Sequence, residues 1–401
     1  MTRSPLAAHW DLDPAVTFLN HGSFGACPRV VLEEQSRIRA RMEREPVLFL
    51  HRELEPLLDA ARAAVADLVR ADADDIAFVV NATMGVNTVL RSLDLRAGDE
   101  LLVTDQEYNA SRNALDFVAT RSGARVVVAK VPFPLQDPGE VLAAIEAKVT
   151  PRTRLLLIDF VTSQTGMILP IEDIVRAMAE RGVDVLVDGA HAPGMVDLDL
   201  DALGAAWFTG NCHKWLCTPK GSAILHVRRD KQADIRPLVI SHGANSGRKD
   251  RSRFRIEADW IGTLDPSPWL CIPTALRFLG GLFEGGFDGL RAHNRDLALY
   301  GRRLLCETLG IAPPCPESMI GSLASVPIPD GTVPGSPPLF LDPLHVALFE
   351  TERIEVPVMN WPKPPRRLLR ISAQAHNHRS EYERLVAVLP RLLQHTGSRP
   401  S

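Results

Sequence analysis

The feature that most constrains the fold is a series of seven short apolar segments separated by stretches with helical spacing. The apolar segments are rich in Val, Ile and Leu and cover 76–80, 101–104, 126–131, 155–160, 183–187, 207–209 and 223–227. Helix-like stretches lie between most of them, at 84–93, 111–121, 138–148 and 170–181. Strands that alternate with helices form βαβ units around a buried, mainly parallel sheet. The sequence therefore predicts an α/β fold whose large domain is built on a mainly parallel seven-stranded sheet.

The chain on either side of this region has a different texture. Residues 29–45 are charge-rich and predict an exposed helix, and 53–70 carry apolar residues at helical spacing. Residues 313–338 hold eight prolines, which predicts a loop-rich stretch before a strand at 366–372 and a closing helix at 381–393. We therefore predict an N-terminal segment that packs with a small domain, a large domain, and a smaller α+β C-terminal domain, with bounds at 1–49, 50–265 and 266–401.

Composition argues against several classes of protein. The 401 residues include 45 Lys+Arg and 49 Asp+Glu, a formal net charge of −4, whereas nucleic-acid binders normally carry a basic surface. The apolar runs are too short to span a bilayer, and the first residues lack the apolar stretch of a signal peptide. Six cysteines are scattered without the spacing of a disulfide framework. We expect a cytoplasmic protein with neither nucleic acid nor membrane as a partner.

Polar and aromatic residues follow five of the predicted strands, at 81–85, 105–108, 162–164, 188–191 and 211–215. Ligands of open α/β sheets bind beyond the carboxyl ends of the strands. The first segment has an ordinary interpretation as a helix cap, since Asn and Thr are common N-cap residues. It also suits an anion site, in which the helix N-terminus at Ala82, Thr83 and Met84 holds a phosphate.

Two charged residues in these segments stand out. Asp188 ends a predicted central strand, where a buried carboxylate is costly without a cationic partner. Lys214 lies beside Trp215, and desolvation there would lower its pKa and produce a nucleophilic amine. Taken alone, a lysine is usually a surface charge, and His191 is more typical of a structural histidine. Cys212, His213 and Cys217 complete no metal-ligand set, so we predict no metal.

One chemistry uses all five strand ends. A lysine forms a Schiff base with a pyridoxal carbonyl, a buried aspartate keeps the pyridinium nitrogen protonated, an aromatic ring stacks on the cofactor, and a helix N-terminus holds its phosphate. The segments Asp188-Gly189-Ala190-His191 and His213-Lys214-Trp215 resemble the class V aminotransferase family of fold-type I pyridoxal-phosphate enzymes. Residues 18–25 and 105–108 resemble its isopenicillin N epimerase branch in particular. Residues 81–83 are also similar to C–S lyases of the ergothioneine pathway.

The resemblance implies a role for each matching residue. Lys214 would be the Schiff-base lysine and proton carrier, Asp188 would pair with the pyridine nitrogen, and His191 would approach the phenolic oxygen. Other cofactor contacts would come from stacking by Tyr108, from phosphate contacts by Thr83, Asn211 and His213, and from Ser163 near the phenolic oxygen or substrate. Arg370 would clamp the substrate α-carboxylate, with Asn20 and His21 at the border of the pocket. Gly262 and Thr263 match a segment that reaches the phosphate of the partner subunit, which implies a homodimer with shared active sites.

The resemblance leaves more than one reaction open. The first interpretation is an amino-acid epimerase or racemase of the isopenicillin N epimerase type, and the second is a C–S lyase acting on a cysteine conjugate or sulfoxide. An aminotransferase and a non-catalytic binding protein come after these. Cysteine desulfurases of the family carry a nucleophilic cysteine shortly before the carboxylate-binding arginine, but 356–365 contains none. A persulfide-forming desulfurase is therefore not expected. Asn211 and Cys212 also stand where relatives commonly carry Ser or Thr and then Gly.

Overall fold

The computed structural model describes residues 2–331 and 341–396, so the parts of the predicted C-terminal domain at 332–340 and 397–401 lie outside the described residues. The strands are β1 (Thr17–Phe18), β2 (Ile76–Val79), β3 (Glu100–Thr104), β4 (Arg125–Ala129), β5 (Thr153–Asp159), β6 (Asp184–Asp188), β7 (Trp207–Asn211), β8 (Ala223–Val227), β9 (Leu323–Ile328), β10 (Ile354–Glu355), β11 (Val358–Asn360) and β12 (Arg367–Ser372). The helices are α1 (His21–Phe24), α2 (Arg29–Arg44), α3 (Pro46–Leu48), α4 (Leu54–Val69), α5 (Ala82–Ser92), α6 (Asn109–Ser122), α7 (Gly139–Glu146), α8 (Ile171–Ala179), α9 (Leu200–Leu203), α10 (Arg253–Asp259), α11 (Ser267–Leu270), α12 (Ile272–Gly280), α13 (Phe287–Leu309), α14 (Pro343–Glu352) and α15 (Arg379–Thr396). Among the described residues, no helix is both long and apolar enough to cross a bilayer.

Seven strands form one sheet in the order β2-β8-β7-β6-β5-β3-β4. Of these strands, β8 alone runs opposite to the others, because it pairs antiparallel with both β2 and β7. The other pairings are parallel. This confirms the predicted α/β fold with a mainly parallel seven-stranded sheet.

The sheet is buried on both faces. Alternate residues of β5 belong to two apolar clusters, with Leu156 and Ile158 in one and Leu155 and Leu157 in the other. Helices α5 and α6 supply the second cluster, whereas α4 and α8 supply the first. Two-sided burial explains why these strands read as continuous apolar runs rather than as alternating patterns.

A three-stranded antiparallel sheet, in the order β11-β12-β9, lies in the C-terminal third. The strand β9 falls within 313–338, which the sequence predicted to be loop-rich, so that interpretation missed a strand. Its Pro327 pairs opposite Leu368 at the edge of the sheet, the position where a strand tolerates a residue without an N–H donor. The N-terminal strand β1 pairs in parallel with β10.

Parallel strands end at a common edge, and this edge positions the site. Asp159 is the last residue of β5 and Asp188 the last of β6, and the two are paired neighbours in the sheet. Helix α5 begins after Asn81, whose side chain caps it, and it approaches β7 closely at Gly85. A Cβ at Gly85 would lie 2.1 Å from Thr209 Oγ1, so a larger residue would push the start of α5 away from this edge.

Candidate active site

A cavity of about 330 Å³ opens at the carboxyl ends of the strands. Most of the residues named from the sequence line it: Ala82, Thr83, Tyr108, Ser163, Asp188, His191, Asn211, His213 and Lys214. The structure therefore brings together residues that are up to 132 positions apart in the chain, from Ala82 to Lys214.

The amine of Lys214 lies in the wall of this cavity. Its Nζ is 3.1 Å from His191 Nε2. Burial, followed by the charge of Arg370, lowers the pKa of Lys214 to about 8, against opposing effects of Asp188 and Asp159. About a tenth of an amine with this pKa is neutral at pH 7 and able to accept a proton, far more than for an ordinary lysine.

Asp188 is buried with 2% of its surface exposed. One carboxylate oxygen accepts a hydrogen bond from Ser111 Oγ at 2.7 Å, and the other accepts from the Ala190 N–H at 3.1 Å. Burial raises the pKa of this carboxyl. Among the described residues, no cation is hydrogen-bonded to it, so its charge lacks the close partner that buried carboxylates normally have.

Two further buried acids surround Asp188. One oxygen each of Glu107, Asp159 and Asp188 lies within 4.8 Å of the other two. Burial, and then repulsion from neighbouring acids, raises the pKa values of Glu107 and Asp159 well above their usual range. Asp159 also lines the cavity. Such a cluster fits a cationic ligand group, and the protonated nitrogen of the expected pyridoxal ring has the required charge.

The sequence interpretation did not assign Glu107 or Asp159 to the site. Glu107 lies in the segment 105–108, which was noted only as a polar strand end. Asp159 carried a usable signal, because it lies near the end of the strand predicted at 155–160, and Asp188 directly follows the strand predicted at 183–187. Adjacent parallel strands place such residues side by side.

At the N-terminus of α5, two backbone N–H groups already have hydrogen-bond partners within the protein, which the sequence did not predict. The Met84 N–H donates to Asn81 Oδ1 at 2.8 Å, and the Ala82 N–H donates to Asn211 Oδ1 at 2.9 Å. Met84 lines a different cavity and is absent from the wall of this one. Met84 therefore corrects the prediction: the structure uses its N–H as an ordinary helix-cap contact. Thr83 keeps its place in the cavity wall, where a helix N-terminus favours an anion.

Asn211 and His213 also line the cavity, and each forms a hydrogen bond to another segment of the chain. The Asn211 amide oxygen ties the end of β7 to the start of α5. His213 Nδ1–H donates to the Ser222 carbonyl at 2.9 Å, and burial lowers the pKa of His213 to about 4. A neutral His213 thus has an acceptor at Nε2, and it can donate to a phosphate only when protonated.

Lys220 adds a cation to the cavity wall that the sequence interpretation missed. Its Nζ donates to the Gly25 carbonyl at 2.9 Å. A signal for it was its place six residues after Lys214, between the same two strands. A cation in the same cavity wall as the α5 N-terminus favours an anionic ligand group.

Arg370 is buried and does not line the cavity wall itself, but it contacts two residues that do, Ser163 and Ser23. Its Nη1 donates to the Ser163 carbonyl and its Nη2 to Ser23 Oγ, the latter at 3.0 Å. Its Nε is buried and has no hydrogen-bond partner among the described residues. Burial lowers the pKa of Arg370 to about 10, and the nearby Tyr108 opposes this effect. A guanidinium with an unused donor suits a carboxylate ligand.

The structure does not place Asn20 and His21 in the cavity wall, contrary to the prediction that they border the substrate pocket. His21 is completely buried behind Lys214, with its Nε2 3.0 Å from the Lys214 carbonyl oxygen. Asn20 donates to Glu355 at 2.8 Å and accepts from Ser23, the residue that Arg370 contacts. Both residues support side chains of the site from behind. Neither position could be distinguished from sequence, because the segment 18–25 adjoins the cavity only through Ser23 and Phe24.

Two predicted cofactor contacts involve residues whose surfaces are exposed or lie outside the cavity wall in the single chain. Tyr108 lines the cavity with 42% of its surface exposed, which leaves its ring accessible to a flat ligand. Gly262 and Thr263 do not line the cavity, and Thr263 is exposed. The Gly262 backbone has a φ of +112° and open space where a side chain would lie.

All six cysteines lie in the described part of the chain, and none lines the cavity. Burial raises the pKa values of Cys27, Cys212 and Cys271 to about 12. These thiols stay protonated at neutral pH and are poor nucleophiles.

Comparisons with known proteins agree with this site. Residues 25–385 match the family Aminotransferase class-V. The chain is 38% identical to isopenicillin N epimerase of Amycolatopsis lactamdurans, over 95% of this chain and 96% of that protein. It is 32% identical to a probable chloroplastic L-cysteine desulfhydrase of Arabidopsis thaliana, over 93% of this chain and 82% of that protein.

The fold is also similar to that of the cysteine desulfurase CsdA of Escherichia coli, with a TM-score of 0.78 at 20% identity over 98% of both chains. These matches confirm the predicted fold and the predicted cofactor, pyridoxal 5'-phosphate, for which the acids around Asp188 and the amine of Lys214 are suited. The chain belongs to the class V aminotransferase family.

Proposed function

We propose that the protein is an amino-acid epimerase similar to the isopenicillin N epimerases, acting at Cα of its substrate. The observation that carries the proposal is that Lys214 and Arg370 lie near each other in the site. The guanidinium is close enough to lower the pKa of the Lys214 amine, and its Nε is an unused buried donor. An α-amino acid has the matching groups, a carboxylate for Arg370 and an acidic Cα–H within reach of Lys214.

In this proposal each residue of the site has a separate role. Pyridoxal phosphate, when bound, withdraws electrons from Cα and makes its proton acidic. Asp188, backed by Asp159 and Glu107, holds the ring nitrogen in its protonated form. Thr83 and Lys220 bind the phosphate, and Arg370 orients the substrate carboxylate. Lys214 takes the Cα proton, since its lowered pKa leaves the amine able to accept it.

Epimerisation needs a second proton donor on the opposite face of Cα. The sequence left Tyr108, His21 and His191 as candidates. His21 is buried behind Lys214, and His191 is hydrogen-bonded to the Lys214 amine, so neither is independent of Lys214. Tyr108 comes from a different strand end and lies near Arg370. We therefore assign the second proton transfer to Tyr108.

A C–S lyase is the second candidate, and one observation favours it. The six thiols lie outside the cavity wall, so elimination of a sulfur group could proceed through Lys214 without a persulfide on the enzyme. The 32% identity to the Arabidopsis desulfhydrase is in line with this reading. The two reactions share proton removal by Lys214 and differ in their need for Tyr108.

Proton NMR in deuterated buffer tests the proposal, using a panel of L-amino acids and β-substituted cysteines. Exchange of the Cα proton together with formation of the other enantiomer supports the epimerase. Pyruvate formed without epimer supports the lyase, and the absence of both products together with an unexchanged Cα proton refutes proton removal by Lys214. In the epimerase, Tyr108→Phe abolishes inversion while Lys214 still exchanges the Cα proton on one face. In the lyase, the same variant keeps its pyruvate formation, and Lys214→Ala is the inactive control for both.

We also propose a cytoplasmic homodimer in which Gly262 and Thr263 complete the site of the partner subunit. Three consecutive exposed apolar residues, Leu238, Val239 and Ile240, support an interface with a second copy of the chain. Six free cysteines support a reducing compartment. The division into 1–49, 50–265 and 266–401 remains our proposal for the domains, since the two larger sheets fall on either side of residue 265.

A further inference from the structure

We propose that Trp215 fixes the tautomer of His191, so that His191 presents an N–H at Nε2 to the amine of Lys214. The contacts form a short chain of three side chains. Trp215 Nε1 lies 3.2 Å from His191 Nδ1, and His191 Nε2 lies 3.1 Å from Lys214 Nζ. The indole and the lysine thus occupy the two opposite nitrogens of one imidazole ring.

The direction of each hydrogen bond follows from the chemistry of the groups. An indole N–H can only donate, so His191 Nδ1 must be the acceptor in the first contact. A neutral imidazole with an unprotonated Nδ1 carries its hydrogen on Nε2. His191 is neutral, because its burial, the largest effect, lowers its pKa well below its usual range. The Nε2–H therefore donates, and the acceptor is the lone pair of an uncharged Lys214 amine.

This arrangement favours the proton-accepting form of Lys214. A histidine that accepted at Nε2 would instead stabilise the ammonium ion. The other groups that face Lys214 are charged, and they act in both directions: Arg370 disfavours the ammonium ion, while Asp188 and Asp159 favour it. The tautomer of His191 adds a short-range preference to this balance, and Trp215 is its positioning residue.

Trp215 is buried and closely packed, which keeps its indole N–H in contact with His191 Nδ1. Its side chain is 1% exposed, and its ring lies 5.1 Å from the buried His21 ring. His191 is itself 2% exposed, which leaves little access for a water that could replace the indole donor. On the other side of the backbone, a Cβ at Gly194 would come within 2.9 Å of the Trp215 carbonyl carbon and oxygen. The packing therefore restricts both the indole ring and the backbone of Trp215.

The first test needs neither cofactor nor substrate. Nitrogen-15 NMR of the apoprotein, labelled at histidine, distinguishes a protonated from an unprotonated ring nitrogen, and His191→Gln identifies the His191 signals among the 12 histidines. We expect a protonated Nε2 and an unprotonated Nδ1 in the wild type. A proton on Nδ1 overturns the proposal without any tryptophan variant.

The second test removes the donor. Trp215→Phe keeps an aromatic ring but has no N–H, and Trp269→Phe is the matched control, because Trp269 is also buried and donates its N–H to a backbone carbonyl, that of Val79, at 3.0 Å. We expect Trp215→Phe to move the His191 proton toward Nδ1 and to raise the pKa of Lys214. The chain has seven lysines, so the Lys214 signal can be followed by carbon-13 NMR and identified with Lys214→Ala.

A Trp215→Phe protein that folds but keeps both the tautomer and the Lys214 titration of the wild type refutes the role of Trp215. With activity established, we expect the same variant to lose about 3- to 10-fold in kcat at neutral pH with little change in KM, the range of one lost hydrogen bond. Failure of the proposed epimerase reaction would leave the apoprotein NMR result unaffected, so the two proposals can fail separately.

Discussion

Glu107 offers a sharp test of the charge arrangement behind Asp188. Neither carboxylate oxygen of Glu107 meets a hydrogen-bond partner at normal distance among the described residues. Its closest acidic neighbours, Asp159 and Asp188, are also buried. We expect Glu107→Gln to stabilise the apoprotein at alkaline pH, because it removes one buried charge and supplies an amide that can donate to Asp159.

The sign of the pH dependence follows from the raised pKa values. Burial raises the pKa of both Glu107 and Asp159 in the folded protein, so the folded state binds more protons than the unfolded state above the ordinary values of 4.5 and 3.8. Stability that depends on these protons is present at low pH and is lost as the pH rises through the folded pKa values. The stabilisation by Glu107→Gln should therefore grow with pH. The cost of an unsatisfied buried polar group puts its size at about 1–3 kcal/mol.

Urea unfolding of the apoprotein, followed by tryptophan fluorescence from about pH 5 to about pH 9, measures this effect. Glu43→Gln is the matched control, since Glu43 is exposed and should show no pH-dependent gain. A Glu107→Gln protein that is less stable than the wild type at every pH would refute the reasoning. It would show that the Glu107 carboxylate is stabilised by a cation or water at this position.

Three further changes test other parts of the site. Arg370→Lys should raise KM for the amino acid by about 10- to 100-fold with a smaller loss in kcat, measured by steady-state kinetics, because lysine cannot replace the forked contacts of the guanidinium. Cys27→Ser should leave turnover unchanged in a pyruvate or chiral assay, and a tenfold loss would contradict the exclusion of a catalytic thiol. Ile240→Glu should shift the sedimentation coefficient from dimer toward monomer and lower activity in parallel, whereas an unchanged dimer would place the interface elsewhere.

The sequence alone was sufficient to predict those structural features that repeat along the chain. Two-sided burial produces continuous apolar runs, and these located all seven strands of the large sheet. The polar segments that follow five of them then identified most of the cavity wall, including Lys214 and Asp188. Strand β9 was missed because its Pro327 and the surrounding prolines imitate a loop, and only its position at a sheet edge makes that residue acceptable.

The errors within the site have a common physical cause. A motif indicates which residues approach the site but not which of their atoms are already bonded. Met84 was assigned to a phosphate although its N–H caps the helix through Asn81. His21 was assigned to the substrate pocket although its ring lies behind the Lys214 backbone. In both cases the residue already forms a hydrogen bond to another residue of the protein. Only the folded backbone brings these partners together, so the sequence does not reveal the contact.

The charges of the cavity show what kind of ligand completes it. Three buried acids, Glu107, Asp159 and Asp188, meet at one point, and none forms an ion pair with a described cation there. The cations Lys220 and Arg370 instead contact carbonyl or hydroxyl oxygens, which leaves their charges uncompensated. Without a cationic ligand, burial favours the protonated forms of Glu107 and Asp159, so a ligand that is cationic toward the acids and anionic toward both cations suits the site. A protonated pyridine ring with a phosphate on one side and an amino-acid carboxylate on the other has this distribution of charge. A bound cofactor therefore compensates charges that the described residues alone leave unpaired.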